Sequence, residues 1–297
     1  MIYNGAFVIS QDDRVTEQVK LGLSMNNNFE KKVNVGGSVE RALSGNYELK
    51  AAEILSEAWR LTMKQFWSFT PAMIILLVVQ MGIFFIALQL QLGDLETLML
   101  SLEDNGFFDT RVIQAFYIAS FSYEVIGAPI AAGISLMAMS HAVGFNTKLQ
   151  HIGKGLQFTV PVIIATAFGI AIQYVAGLII PFISLYLGMA FSQSILLICD
   201  KRIPPMRSLL VSFLAVNKKI FVISGLYLLV IFMFFIATIF YGIGLILVLP
   251  FFFHLKGILY REMFGIQVQI IATDGTDNDD SDDNDGDKDN KTQVFDA

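Results

Sequence analysis

Two long stretches without a charged residue dominate the pattern of hydrophobic and polar positions. Residues 159–199 contain no Asp, Glu, Lys, Arg or His over forty-one positions, and residues 220–253 contain none over thirty-four. As one helix, the first stretch would be about 61 Å long, about twice the ~30 Å hydrocarbon thickness of a bilayer. Each stretch therefore predicts two membrane-crossing helices joined by a turn, at residues 177–181 in the first and 241–244 in the second.

With two further apolar segments, this pattern predicts an all-α fold, a polytopic membrane bundle of about six transmembrane helices arranged as three hairpins. The expected crossings are residues 67–92, 124–144, 159–177, 180–199, 220–241 and 244–260. Residues 112–143 would be about 48 Å long as one helix, too long for a single crossing. We therefore expect residues 112–123 to form an amphipathic helix on the outer face, with the second crossing beginning near Glu124.

Prolines and glycines inside the crossings are candidate helix breaks, because proline removes a backbone donor and clashes with the preceding turn. The candidates are Gly127, Pro129, Pro181 and Pro250. Small residues allow close approach of membrane helices. The second and third crossings are rich in them and are expected inside the bundle, whereas the fifth, rich in Leu, Ile and Phe, is expected to face lipid.

The basic residues predict the orientation. With six crossings, nineteen of the twenty Lys and Arg residues fall on one side, and Arg111 falls on the other. Cytoplasmic flanks hold Lys and Arg, so both termini are expected in the cytoplasm of a bacterial cell, with the chain as a multi-pass protein of the inner membrane.

Each expected hairpin follows a basic, partly apolar stretch of helical character, at residues 54–67, 146–158 and 205–221. One interpretation is an interfacial amphipathic helix before each hairpin, with lysines towards anionic lipid. The alternative is ordinary loops that obey the positive-inside rule. On the first interpretation, the candidate contacts to anionic lipid are Lys64, Lys154, Lys218 and Lys219.

The two ends differ in composition from the crossings. Residues 1–49 carry turn signals and few large apolar clusters, which predicts a flexible cytoplasmic arm before a transmembrane domain at 50–265. Residues 266–297 include ten aspartates and two lysines and are expected to form a disordered acidic cytoplasmic tail. The tail lacks the glutamate of a calcium-binding loop; it serves for solvation or, alternatively, for attraction of a basic protein partner.

Polar residues at membrane depth are the default candidates for function. They are Glu124, His141, Gln193 and His254. Glu124 either anchors the outer end of the second crossing or protonates inside the bundle. His141, Gln193 and His254 either line one polar cavity that opens to the cytoplasm or make separate hydrogen bonds between helices.

Catalytic signatures are missing from the sequence: there is no phosphate-binding loop, zinc-protease motif, nucleophile elbow or dinucleotide fingerprint. Three scattered histidines and one cysteine do not supply a metal site, and no basic face with interleaved aromatics indicates nucleic acid. We therefore expect no catalytic residue, no cofactor and no nucleic-acid partner; the expected partners are membrane lipids. The sequence does not indicate an oligomeric state.

Two short motifs precede the first crossing. Residues 42–49 read Ala-Leu-Ser-Gly-Asn-Tyr-Glu-Leu, and residues 57–62 read Glu-Ala-Trp-Arg-Leu-Thr. Together with the second span, rich in glycine and proline, they resemble a group of uncharacterised bacterial six-helix inner-membrane proteins, which look related to the membrane-anchor region of glycerophosphodiester phosphodiesterases. The resemblance covers residues 38–265. It implies a membrane bundle of unassigned activity and carries no phosphodiesterase chemistry, because the catalytic domain is missing.

These observations favour a non-enzymatic membrane protein that organises or senses lipids or envelope partners. A permease for a small solute or an ion is the first alternative, with a path around Pro129 and the level of His141 and His254. A lipid-modifying membrane enzyme is the second alternative.

Overall fold

The computed structural model describes residues 31–93, 110–239 and 242–270, and most of them are helical. The helices are α1 (Val39–Ser44), α2 (Ala51–Lys64), α3 (Phe66–Leu92), α4 (Thr110–Ala142), α5 (Thr159–Ile179), α6 (Pro181–Ala190), α7 (Ser194–Lys201), α8 (Pro205–Lys218), α9 (Ile220–Ile239) and α10 (Leu245–Phe264). A 3₁₀ segment (Leu149–Phe158) precedes α5, and two strands, β1 (Lys31–Val35) and β2 (Ile266–Ile270), flank the helices.

Five helical segments are long and apolar enough to cross a membrane, by length and composition. They are Phe66–Leu92, Thr110–Ala142, Leu149–Ile179, Phe182–Lys201 and Ile220–Ile239. This agrees with the prediction of a polytopic all-α membrane bundle. The α10 helix is not among them. It carries a histidine, a lysine, an arginine and a glutamate between His254 and Glu262.

The α10 helix is nevertheless largely buried, and it packs against α4, α2, α3 and α9. The backbones of α10 and α4 nearly touch where Gly257 faces Ala138, since a Cβ at Gly257 would lie 2.9 Å from the Ala138 carbonyl oxygen. Small residues permit such crossings without an intervening side chain. A helix with several polar side chains therefore lies inside the core of the bundle.

The α4 helix is continuous, and this corrects two expectations. Residues 112–123 are its first turns rather than a separate helix on the outer face, and neither Gly127 nor Pro129 interrupts it. Pro129 is buried within α4, and a proline inside a membrane helix is tolerated where neighbouring helices pack around it. A Cβ at Gly127 would lie 3.3 Å from the side chain of Gln80 on α3, so this glycine permits helix contact rather than a bend.

The other two candidate breaks differ from each other. Pro181 begins α6 directly after Ile180, so the turn predicted at residues 177–181 is present. Gly177 faces Ser184, and Gly188 faces Gln173, which makes α5 and α6 antiparallel neighbours. Pro250, in contrast, lies buried inside α10 without interrupting it.

The fourth expected crossing is divided at a position that has no proline. Between α6 and α7, residues 191–193 form a turn. The hydroxyl of Ser212 on α8 donates to the Ala190 carbonyl at 2.6 Å and accepts from the Gln193 N–H at 3.2 Å. One side chain thus satisfies a carbonyl and an amide that the turn removes from the helical ladder.

The two crossings expected inside the bundle also differ. Most of α4 is buried, as expected, but α5 is largely exposed and buries Val162, Ala165, Gly169 and Ile170. Its small residues are spread around the helix rather than collected on one face. The α9 helix has many exposed large apolar side chains, as expected of a lipid-facing helix.

The basic stretch before each expected hairpin is helical: α2 precedes α3, the 3₁₀ segment precedes α5, and α8 precedes α9. Each presents large apolar side chains outwards. On α2 and the start of α3 they are Trp59, Met63 and Trp67; on the 3₁₀ segment, Leu149 and Leu156; on α8, Met206, Leu210 and Leu214. In α2 and α8 the spacing of four residues forms one row along the helix.

The expected flexible arm at 1–49 is folded over its described part. Strand β1 pairs with β2 in an antiparallel ribbon, with Val33 opposite Val268 and Val35 opposite Ile266. Residues 266–270, expected to begin the disordered tail, therefore form a strand. The first thirty residues and residues 271–297 lie outside the described residues, and the prediction of a disordered acidic tail stays a prediction.

Glycines join the ribbon to α10. Gly36 has a φ of +98°, and a Cβ there would lie 2.2 Å from the Arg261 carbonyl oxygen. Gly37 donates its N–H to the same carbonyl at 2.9 Å. A side chain at Gly36 would clash with backbone and also strain the left-handed conformation. The ribbon is therefore held against the end of α10.

We expect Gly155→Ala to destabilise the bundle and Gly153→Ala to leave it nearly unchanged. A Cβ at Gly155 would lie 2.2 Å from the Gly133 nitrogen of α4, whereas nothing lies within 4 Å of one at Gly153. Overpacking against backbone costs about 1–3 kcal/mol or more. Thermal unfolding in detergent should show a lower midpoint for Gly155→Ala alone. Equal midpoints for both variants would contradict the close contact between the 3₁₀ segment and α4.

Tyr47→Phe tests whether residues 31–49 are docked. The Tyr47 hydroxyl donates to the Ala215 carbonyl at 2.8 Å, and burial raises the pKa of Tyr47 to about 12. We expect a loss of about 1 kcal/mol at neutral pH from the missing hydrogen bond. Since the unfolded pKa is about 10, the unfolded state loses its proton first, and the wild type loses stability as pH rises from 10 to 12. Thermal unfolding at several pH values should show a smaller alkaline loss for Tyr47→Phe. An alkaline loss as large as that of the wild type would argue against a buried hydroxyl.

Candidate functional site

Four buried side chains form a continuous row of hydrogen bonds that joins three helices and a loop. Thr62 Oγ1 of α2 lies 3.2 Å from His254 Nδ1 of α10, and His254 Nε2 lies 2.9 Å from His141 Nδ1 of α4. His141 Nε2 lies 2.8 Å from Thr147 Oγ1 in the loop after α4. We call these four residues the histidine chain. Each of them is less than one-tenth exposed.

The direction of the proton donors in the histidine chain follows from one end. The Thr62 hydroxyl donates to the Ala58 carbonyl at 2.7 Å, so it accepts from His254 Nδ1–H. His254 Nε2 must then accept from His141 Nδ1–H, and His141 Nε2 from the Thr147 hydroxyl. On this assignment both imidazoles are neutral, and every ring nitrogen has a partner.

The start of α3 holds the histidine chain in place. The Phe69 ring lies with its centroid 4.6 Å from that of His254. The Ser68 hydroxyl donates to the Thr147 carbonyl at 3.2 Å, and the Gln65 amide donates to the Asn146 side-chain oxygen at 2.8 Å. These contacts position the loop that carries Thr147, because a buried polar network is stable only when its members are oriented and satisfied.

A second polar contact joins α2 to α10 beside the histidine chain. The Arg261 guanidinium donates to both carboxylate oxygens of Glu57, at 2.8 Å each, and also to the Ala142 carbonyl at the end of α4. Arg261 also donates to the Glu262 carboxylate, from Nε and Nη2. The Arg261 and Glu57 side chains are 17% and 23% exposed. Removing one partner of a poorly hydrated pair leaves an uncompensated charge, which is strongly destabilising.

The motif at residues 57–62 therefore faces α10 along its length. Glu57 binds Arg261, Ala58 is fully buried, and the Trp59 ring meets Phe251 edge to face at 6.3 Å. Thr62, one turn later, reaches His254. Thr62 and Thr147 were not predicted as site residues. The position of Thr62, four residues after buried Ala58 on an amphipathic helix, is the signal that could have found it.

Gln193 belongs to a different cluster from the two histidines. Gln193 lies in the turn between α6 and α7, and its N–H donates to the Ser212 hydroxyl of α8. The two histidines instead contact Thr62, Thr147 and Phe69. The Gln193 side chain is buried, and in the described part of the chain its Oε1 has no hydrogen-bond partner. The structure thus brings two of the three expected cavity residues into direct contact and leaves the third elsewhere.

A third polar cluster joins α7 to α10. The Tyr260 hydroxyl donates to Asp200 Oδ2 at 2.7 Å, and Lys201 Nζ lies 3.1 Å from the same oxygen. Lys256 is buried near the free thiol of Cys199. Together with the histidine chain and Arg261, this cluster supplies partners to the polar side chains of α10.

Glu124 lies near the middle of α4, far from the histidine chain. It is eighteen residues from Ala142, about 27 Å along α4, and Tyr123 and Tyr174 flank it. The Tyr117 and Tyr174 rings meet edge to face at 5.7 Å. Tyrosines collect at membrane–water interfaces, so this environment favours the anchoring role for Glu124 over a role inside the bundle.

The four candidate lipid-contact lysines lie at the ends of the basic segments. Lys64 and Lys218 are the last residues of α2 and α8 and are exposed; Lys219 is half-exposed, as is Lys154 in the 3₁₀ segment. A shallow concavity lies nearby on the surface of α2, lined by Ala52, Glu53, Ser56, Glu57 and Arg60. It does not include the histidine chain.

The chemistry of the histidine chain is that of a closed, neutral network. No group of three His, Cys, Asp or Glu that could hold a metal occurs within residues 31–93, 110–239 and 242–270. The two imidazoles use all four ring nitrogens on one another and on hydroxyls. The arrangement therefore fixes α2, α4 and α10 relative to one another.

Substitution of either histidine alone should lower the stability of the bundle by more than half of the loss caused by substituting both. His254→Leu leaves His141 Nδ1–H buried without an acceptor, which costs about 1–3 kcal/mol. We expect the His141→Leu/His254→Leu double variant to lose less stability than the two single variants added together, measured by unfolding in detergent. His254→Leu combined with Gln193→Leu is the control and should be additive. Additivity in the histidine pair would show that the two rings are not coupled.

Comparison of the chain with protein-family models, with curated proteins and with solved structures finds no match.

Proposed function

We propose that this chain is a non-enzymatic integral protein of a bacterial inner membrane, which binds and organises anionic lipid through three interfacial helical segments. Six crossings in three hairpins, with both termini in the cytoplasm, form the proposed topology. The resemblance to the membrane-anchor region of glycerophosphodiester phosphodiesterases is part of the same proposal and supplies no activity.

The ribbon of β1 and β2 supports the even number of crossings independently of charge. Lys31 pairs with Ile270, so the chain enters and leaves the bundle at the same end. Five segments qualify as crossings by length and composition. A chain that returns to its starting side needs an even number, and α10 supplies the sixth. His254, Tyr260 and Arg261 are compatible with a crossing because they have hydrogen-bond partners inside the bundle.

The observation that carries lipid binding is the pairing of outward apolar rows with lysines. The first row has Trp59 and Met63 on α2 and Trp67 at the start of α3, and Lys64 lies among them. Met206, Leu210 and Leu214 run along α8, which ends at Lys218. Large apolar side chains on a basic helix next to a membrane crossing sit at the headgroup layer, where lysines meet lipid phosphates.

The polar interior of the bundle also supports a structural role. The histidine chain and the Arg261–Glu57 pair fix α2 against α10. An interfacial helix held by buried hydrogen bonds keeps its outward row at a constant depth. That arrangement is suited to arranging lipids, because the position of the lysines relative to the headgroups does not depend on the lipid itself.

A permease is the second candidate, and one observation favours it. The fourth crossing is divided at residues 191–193, and buried Gln193 lies at the division. Discontinuous helices with polar residues near the midplane form substrate sites in many transporters. Saturable flux into liposomes that is lost in Gln193→Ala or His254→Ala would establish this candidate and displace the first.

Lipid retention tests the proposed function. We expect native mass spectrometry to show retention of phosphatidylglycerol over phosphatidylcholine, reduced in Lys64→Gln/Lys218→Gln/Lys219→Gln. A lysine near the surface contributes about 1 kcal/mol to attraction for anionic lipid, or roughly fivefold in affinity. Lys50→Gln is the matched control, because Lys50 is already paired with Glu53 at 3.1 Å. Equal retention of both lipids by the wild type, or equal losses in the control, would refute the proposal.

A further inference from the structure

Unpaired cations surround the end of the bundle at which α3, α5 and α9 begin. Among the described residues, no carboxylate lies within 4 Å of Arg60, Lys64, Lys148, Arg207, Lys218 or Lys219. We call these six residues the cationic rim. Three other basic residues nearby have carboxylate partners: Lys50 binds Glu53, Lys201 binds Asp200, and Arg261 binds Glu57.

The excess of positive charge at this end is large. Residues 31–64, 142–158, 200–219 and 254–270 hold fifteen Lys and Arg residues and six Asp and Glu residues. Residues 271–297 hold ten Asp and two Lys residues. The excess of nine positive charges in these four ranges is therefore nearly matched by the excess of eight negative charges on the segment that follows β2.

The acidic segment leaves the bundle beside the cationic rim. Strand β2 ends at Ile270, and the ribbon packs on the core that contains Ala42, Tyr47 and Val216. Gly45, which ends α1, lies against Lys218, since a Cβ there would be 3.3 Å from the Lys218 Cβ. Nineteen residues separate Ile270 from Asp289, and an extended chain of that length reaches about 65 Å. A helix with its side chains is about 10–12 Å across, so a chain of this length can pass several helices and reach the residues of the rim.

We propose that the aspartates of residues 274–289 bind the cationic rim and compete with anionic lipid for it. This inference uses the lysines of the proposed function and adds the chain's own regulator of their occupancy. The tethered carboxylates occupy the lysines when the surrounding leaflet is zwitterionic. Anionic headgroups displace them, and salt weakens the contact because exposed charges are screened.

Zero-length cross-linking tests the contact. A water-soluble carbodiimide joins a carboxylate to a lysine amine only when the two touch, and mass spectrometry identifies the pairs. In phosphatidylcholine nanodiscs, we expect the full chain to yield links from the aspartates to Lys64, Lys148, Lys218 or Lys219. The yield should fall several-fold in 0.5 M salt and in phosphatidylglycerol nanodiscs. Lys50 is the internal control and should link to Glu53 rather than to the aspartates.

Deletion of residues 271–297 separates this inference from the proposed function. We expect the deleted variant to retain phosphatidylglycerol more tightly, by roughly fivefold for each lysine released. Missing cross-links together with unchanged lipid retention in the deleted variant would overturn the inference and leave lipid binding intact. Cross-links without any preference for anionic lipid would refute the proposed function and leave the contact of the acidic segment intact. Links that form equally well to Lys50, or between two isotopically distinct chains, would also overturn the inference.

Discussion

The α10 helix places His254, Lys256 and Arg261 within eight residues, and the surrounding helices cover all three side chains to a large extent. Burial of an unpaired polar group costs several kcal/mol, and burial of an unpaired charge costs more. The helices around α10 must therefore present hydrogen-bond partners at fixed positions. The α2 helix supplies Thr62 and Glu57, and α4 supplies a histidine and its terminal carbonyl. The arrangement of the bundle follows from this requirement more than from apolar packing, since lipid provides little hydrophobic force between membrane helices.

The α2 helix serves two environments at once. Its inner face carries Glu57, Ala58 and Thr62 towards α10, and its outer face carries Trp59 and Met63. An ordinary interfacial helix is held by lipid alone and can change depth as the lipid changes. Here the ion pair and the histidine chain oppose such movement, so the depth of Lys64 is set by the protein. This rigidity is what distinguishes the proposed lipid-organising role from simple attraction of a basic loop to a charged surface.

Much of the fold could be predicted from the sequence, and the rest depends on contacts between distant residues. The charge-free stretches predicted the turn at 177–181 and a turn that the described residues show at 242–244, because membrane thickness limits helix length. The break at Pro129 was wrong, since the lost hydrogen bond affects one carbonyl and α4 is packed on several sides. The ribbon was missed although residues 31–35 and 266–270 alternate apolar and polar side chains, because such short strands are stable only when paired across the whole chain. Likewise, the similar depth of His141 and His254 suggested a shared cavity, but it did not predict the direct hydrogen bond between them across 113 positions.

The ribbon of β1 and β2 determines where on the bundle the acidic segment begins. Because β1 and β2 pair beside the end of α10, the acidic segment starts where unpaired cations already collect. Its tether gives it a high effective concentration at the cationic rim, whereas a soluble acidic peptide would need millimolar amounts to compete. Lipid headgroups have a comparable advantage, since a charged leaflet concentrates phosphates at the depth of the lysines. In the proposed competition, the fraction of anionic lipid in the leaflet therefore decides which of the two occupies the rim.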